Sequence, residues 1–165
     1  MKVLGIDPGT AACGYGIVHA NGVRLQAVEF GWLQTKAQER PELRLKRIHD
    51  AVAALIARHE PDAAALEESF VGADARIALS VGQARGAALV ACANARVPCA
   101  EYPPASVKTA VCGYGRAEKQ QVQQMVKAIL GLSELPRPHH AADALAVAIC
   151  HASAPPLSAL VGAAG

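Results

Sequence analysis

The sequence predicts an α/β domain: a five-stranded mixed sheet with helices on both faces. Three observations carry that expectation. An apolar N-terminal run is followed by two further extended segments joined at Asn21-Gly22, a hairpin signature. Beyond residue 40 helical and extended patterns alternate, as crossovers between parallel strands require. The short runs 2–7 and 63–67 are apolar without polar alternation, as strands covered on both sides are.

Residues 2–7 read as a central strand and 14–20 as a second, with Tyr15, Ile17 and His19 alternating with Gly16 and Val18. The third strand spans about 23–33. Its apolar phase runs Val23, Leu25, Ala27 and then Val28, Phe30, Trp32, and that slip predicts a β-bulge at 27–28. A helix follows over 41–59, opened by Pro41, with Leu43, Ile48, Val52, Leu55 and Ile56 on its inner face. Residues 63–67 form a buried parallel strand. A helix of small residues spans 73–95, and its Gly82 and Gly86 fit either tight packing on the sheet or contact with a second protomer. Residues 97–102 form the fifth strand. A short helix starts near Ser106, a suitable N-cap. The loop Gly113-Tyr114-Gly115 leads to an amphipathic helix over 117–130 with Val122, Met125, Val126, Ile129 and Leu130 inward. The last helix covers about 139–152. Residues 1–153 read as one domain, and 154–165 as an uncharged, frayed tail.

A chain of 165 residues, 52% hydrophobic and 18% charged, can bury a real core. Aromatic residues are only 4%, so small side chains and close helix contacts must fill it. The net charge of +2 is too mild to identify a nucleic-acid partner by itself. Cys13, Cys92, Cys99, Cys112 and Cys150 are odd in number and form no C-x-x-C pair, which suggests reduced thiols in a cytoplasmic protein. No stretch reads as a bilayer span or a signal peptide.

The informative residues are acids at the ends of rigid elements. The first strand ends in Asp7 ahead of Pro8-Gly9, and the run 63–66 ends in Glu67. His140 and Asp143 stand three apart at the start of the last helix, on one face. Hard divalent cations take oxygen ligands, usually one or two protein carboxylates each, with water and phosphate completing the shell. Two ions about 4 Å apart can clamp the attacking and leaving oxygens of a phosphodiester displacement. Each residue has a plainer reading: Asp7 as a turn former, Glu67 and Glu68 as surface acids, Asp143 as a first-turn acid complementing the helix dipole. The residues alone do not choose between Glu67 and Glu68.

The runs Gly5-Ile6-Asp7-Pro8-Gly9-Thr10 with Gly14-Tyr15-Gly16, Leu66-Glu67-Glu68-Ser69-Phe70, Gly82-Gln83-Ala84-Arg85-Gly86, Ala117-Glu118-Lys119 and Ala141-Ala142-Asp143-Ala144-Leu145-Ala146 resemble the RuvC family of bacterial Holliday-junction resolvases. The resemblance covers residues 1 to about 152. It implies an RNase H-like fold, a homodimer, and cutting of four-way DNA junctions with Mg²⁺ or Mn²⁺, two ions per site, alongside the RuvA–RuvB branch-migration complex. It places the catalytic and metal-binding acids on Asp7, Glu67 and Asp143, choosing Glu67 because the family's glutamate stands three before its phenylalanine, here Phe70. The fourth position, an acid in many members, falls on His140. An imidazole there removes one negative charge and is a somewhat softer ligand, which favours Mn²⁺ over Mg²⁺.

For DNA contact, the resemblance implies Lys108 and Lys119 on phosphates and Phe70 stacked on an unpaired base. Arg76, Arg85 and Arg116 join them on charge and position. Lys36, Arg40, Arg44, Lys46 and Arg47 spread around a helix and read as solvated surface. Actin-like ATPases and sugar kinases also open with a strand, an aspartate and a Gly-Thr turn, but need two such domains, and this chain is too short for both. An RNase H-like nuclease on another nucleic acid and a non-cutting junction-binding scaffold are the remaining readings.

Overall fold

The computed structural model describes residues 1–68 and 74–154. Its strands are β1 (Lys2–Asp7), β2 (Ala12–Asn21), β3 (Arg24–Gln34), β4 (Ala63–Glu67) and β5 (Cys99–Tyr102). Its helices are α1 (Pro41–His59), α2 (Ala75–Asn94), α3 (Pro104–Cys112), α4 (Lys119–Leu130) and α5 (His139–Ser153). The sheet order is β3-β2-β1-β4-β5; β1, β2 and β3 pair antiparallel, while β4 joins β1 and β5 in parallel. The hairpin-plus-crossover expectation therefore holds.

Local chemistry sets the boundaries. The β2–β3 loop is Gly22-Val23, since Asn21 pairs with Arg24. Only Gly22 there takes a positive φ, +58°, so the glycine fills the first turn position rather than the second, where the sequence had put it. The bulge falls where expected: the register jumps from Ile17↔Glu29 to Val18↔Ala27, leaving Val28 unpaired and exposed. Helix α2 begins at Ala75 because the Asp74 carboxylate accepts the Arg76 amide at 2.9 Å. Helix α3 begins at Pro104, before Ser106: a proline at the first helical position outweighs the serine cap. Helix α4 starts two residues late, behind a Glu118–Gln121 capping box.

Two cores flank the sheet. On one side Leu4, Ile6, Ile17 and Leu66 pack under α1 and α2. On the other, Val3, Val18 and Ala65 pack under α5, which α3 and α4 cover in turn. Helix α5 is buried on nearly every side, as its apolar sequence requires. Leu43 and Met125, both expected inward, are 44% and 39% exposed, each on the solvent-side fringe of its helix.

The α5 contact depends on three glycines. A Cβ on Gly5 would lie 1.9 Å from the Ala144 carbonyl oxygen, and one on Gly14 would lie 2.0 Å from that of His140. A Cβ on Gly16 would meet the Leu145 side chain at 2.7 Å. Helix backbone thus rests directly on strand backbone, and the first turn of α5 is carried to the end of β1.

Candidate active site

Register builds the site. Trp32 pairs with Gly14, Gly14 with Asp7, and Glu67 with Tyr102, while the Ile6↔Leu66 pair sets Asp7 beside Glu67. These residues form one row across all five strands, and cross-strand partners project to the same face. That face is the α5 side, because a Cβ on Gly14 would meet His140. Asp7 and Glu67 therefore stand one strand spacing apart, about 4.8 Å, under the N-terminal turn of α5.

From α5, His140 Nδ1 lies 2.7 Å from Asp7 Oδ2. One ligand atom each from Asp7, His140 and Asp143 fits within 4.8 Å of the others, and this is the metal-capable cluster among the described residues. Glu67 stands outside that cluster but shares a cleft of about 220 Å³ with Asp143, Lys108 and Lys119. Lys119 Nζ lies 2.8 Å from Asp143 Oδ2. The four positions singled out at the ends of elements are thus gathered at one end of the sheet, and of the adjacent pair it is Glu67 that lies on the row.

The charges are mutually unfavourable. Burial raises the Asp7 carboxyl above its usual range and Asp143 adds to this, against the His140 hydrogen bond. Burial likewise raises Glu67, with Asp143 and then Asp7 adding, against Lys108 and Lys119. Cys13, on β2 behind the site, is pushed up to about 12 by burial, with Asp7 second.

The other cations divide. Arg76 and Arg116 are exposed and form no ion pair among the described residues. Arg85, expected to reach phosphate, turns inward: it donates to the Glu67 carbonyl at 3.0 Å and pairs with the Glu101 carboxylate. Its guanidinium ties the ends of β4 and β5 to α2, a support that a helix-face reading cannot detect. Of the run from Lys36 to Arg47, Lys36, Arg40, Lys46 and Arg47 are exposed, as expected, Lys46 pairing with Asp50 at 2.5 Å and Arg47 with Glu39 at 2.7 Å, whereas Arg44 is half-buried and donates to the Thr35 hydroxyl at 2.9 Å. Phe70 lies outside the described residues.

Residues 3–151 match the family model described as "Crossover junction endodeoxyribonuclease RuvC". The chain belongs to the RuvC family. The RuvC of Desulforamulus reducens is 52% identical over 152 residues, which cover 92% of this chain and 93% of the relative. That of Chloroflexus aggregans is 51% identical over 156 residues, 94% of this chain and 95% of the relative. Among solved structures, a Thermus thermophilus RuvC in complex with a Holliday junction substrate superposes with a TM-score of 0.85 at 41% identity, covering 92% of this chain and 93% of that one. The yeast mitochondrial resolvase Ydc2, with a TM-score of 0.64 at 12% identity, shares the fold. The architecture is the RNase H-like fold of the RuvC family. No helix among the described residues is long and apolar enough to cross a membrane.

Proposed function

We propose that this chain is a structure-selective endonuclease that resolves four-way DNA junctions by metal-dependent nicking of two strands. The observation that carries this reading is the convergence of Asp7, Glu67, His140 and Asp143 on one end of a rigid sheet beside Lys108 and Lys119. The fold match to a RuvC solved on a Holliday junction supports the substrate.

The donor set suits Mg²⁺ or Mn²⁺. Asp7, Asp143 and His140 offer two carboxylates and an imidazole within mutual reach of one ion. Burial first, and the neighbouring carboxylates after it, raise the carboxyls of Asp7 and Glu67, and a cation bound there would relieve both. Asp7, His140 and Asp143 would hold one ion, and Glu67 with a neighbouring carboxylate a second. Bound there, the ions would activate water and neutralise the leaving oxygen. The protein's own groups would do the rest. The Gly5 and Gly14 contacts hold the His140 turn against Asp7. Lys108 and Lys119 would take the scissile phosphate's outer oxygens, Lys119 swinging from Asp143 on its flexible stem. Arg76 and Arg116 would reach phosphates of the arms, and Phe70 would stack on an unpaired base near the crossover. The products would be a 5′-phosphate and a 3′-hydroxyl.

Symmetric nicking asks for two sites related by a two-fold axis. The α2 face away from the core presents Leu79, Gly82, Gly86 and Val90, with Leu79 66% and Val90 53% exposed and nothing within 4 Å over either glycine. A second copy would pack there, backbone close to backbone. The RuvA–RuvB branch-migration complex is the assembly the resemblance implies as partner.

The test is cleavage of a synthetic four-way junction with Mg²⁺, Mn²⁺ or chelator, with linear duplex as control. Paired nicks on the junction alone, lost in chelator, are expected. Asp7→Asn should cut about 10³-fold more slowly, since a metal contributes several kcal/mol, yet bind the junction at least as well, one negative charge having gone. Wild-type cleavage by that variant overturns the site; faster cutting of an RNA–DNA duplex overturns the substrate.

A further inference from the structure

Trp32 is the chain's only tryptophan and is 49% exposed. The apolar phase of its strand would bury it, as Phe30 one pleat away packs against the core. A solitary exposed apolar side chain needs no explanation. Trp32 is not solitary: it forms one wall of an open cleft of about 530 Å³, a volume typical of ligand sites. Gln123 of α4, Leu135, Arg137 and His139 line the rest with two prolines, and no carboxylate does. Arg137 is exposed and makes no ion pair among the described residues.

The cleft is continuous with the catalytic row. Trp32 pairs with Gly14 and Gly14 with Asp7, so its backbone lies two strand spacings, about 10 Å, from that of Asp7 on the same face. The His139 ring lies against that of His140, centroids 4.0 Å apart. A DNA strand crossing the acids toward β3 would therefore run into this cleft within a nucleotide or two of the cut.

We infer that Trp32 is a stacking platform for a nucleobase of the strand being cut, with Arg137 on the adjoining phosphate. The inference rests on the nuclease reading and adds a subsite to it. The chemistry matches one occupant: an indole face suits any base, a guanidinium suits phosphate, and the missing acids remove the repulsion that the catalytic cluster itself presents to DNA. An apolar patch built for a second protein copy would not require the unpaired arginine or the continuity with the acids.

The lone tryptophan reports on its own site. The full chain, in chelator to prevent cutting, is titrated with a synthetic four-way junction while indole emission is followed. Stacking should quench that emission in step with binding. Trp32→Ala should weaken the junction complex about five- to 150-fold, the range for losing one base–aromatic stack, and Trp32→Phe should restore most of it. Arg137→Gln should lower the slope of log affinity against log salt by about one. A purely structural role is separated by moving an abasic nucleotide along the strand near the cut. At one position the wild type should lose affinity while Trp32→Ala loses no more, because the two changes remove the same contact. Saturating junction binding with unchanged emission overturns the subsite, as does quenching by protein concentration without DNA, or additive losses at every abasic position. A wild type that neither binds nor cuts the junction overturns the nuclease reading and the subsite with it. One that cuts with unchanged emission overturns the subsite alone.

Discussion

Replacing Gly14 by alanine tests how the site is held together. The added Cβ would lie 2.0 Å from the His140 carbonyl oxygen and 2.4 Å from its carbonyl carbon. Ordinary contact begins near 3.4 Å, so α5 and β2 must part by about 1.4 Å, the difference between 3.4 and 2.0 Å. Both atoms are backbone, so no side-chain rotation relieves the clash. Overpacking of this kind costs about 1–3 kcal/mol, which for a chain of this size lowers the melting temperature by about 2–12 °C. The functional cost should be larger. His140 touches Asp7 at 2.7 Å, and the same turn carries Asp143. A displacement of about 1 Å in reacting groups costs about 100-fold in rate. Single-turnover cleavage of a four-way junction at 25 °C, with folding checked by circular dichroism, should show the cleavage rate constant down about 100-fold and junction Kd changed far less, since Lys108 and Lys119 stand on α3 and α4 rather than on the displaced α5 turn. A Gly14→Ala protein that melts with the wild type and cuts at its rate would show that glycine contacts do not set the position of the α5 turn, and the account of the site's assembly would be wrong.

His140→Asp restores a third carboxylate to the three-ligand cluster and should raise the ratio of Mg²⁺- to Mn²⁺-supported cleavage severalfold; parallel metal titrations read it, and an unchanged ratio rejects the imidazole as a ligand. Gly82→Arg plants a charge on the open face of α2 and should give monomers by light scattering, with unpaired nicks replacing coordinated ones; an unaltered dimer places the interface elsewhere. At Glu29, burial favours the neutral acid, but hydrogen bonds from His59 and Tyr15 and the charge of Arg58 outweigh it and hold the carboxyl below its usual range. The unfolded chain then binds the proton first as pH falls, so this group's stabilisation is present above the ordinary value of 4.5 and is lost on acidification through the folded value. Glu29→Gln should therefore flatten the fall of melting temperature as the pH drops from above 4.5 to well below it; parallel curves for both proteins would exclude that contribution.

The elements were legible because their causes are local. Pro41 and the spacing of Ile48, Val52 and Leu55 mark one helix, and the run ending at Glu67 marks a strand covered on both sides. The slip at Val28 records an odd residue in one ladder. Where two local signals competed, as with Pro104 against Ser106, the sequence did not say which would win. Asp7, Glu67, His140 and Asp143 were legible as acids and an imidazole at the ends of rigid elements, and the resemblance chose Glu67 over Glu68.

Other features exist only through space. The chain cannot show that the missing Cβ of Gly14 admits the His140 turn, because the two are distant in sequence and meet only when α5 lies across the sheet. Arg85 looks like one more basic helix residue until β4 and β5 bring the Glu67 carbonyl and the Glu101 carboxylate to it. Trp32 has the pattern of a core residue, yet the edge strand carries it past the end of the packed layer and into a cleft beside His139. Periodicity and turn chemistry, acting over a few residues, determined which segments are helix or strand and where their acids stand. Register and close packing, which join residues far apart in the chain, decided which of those groups touch.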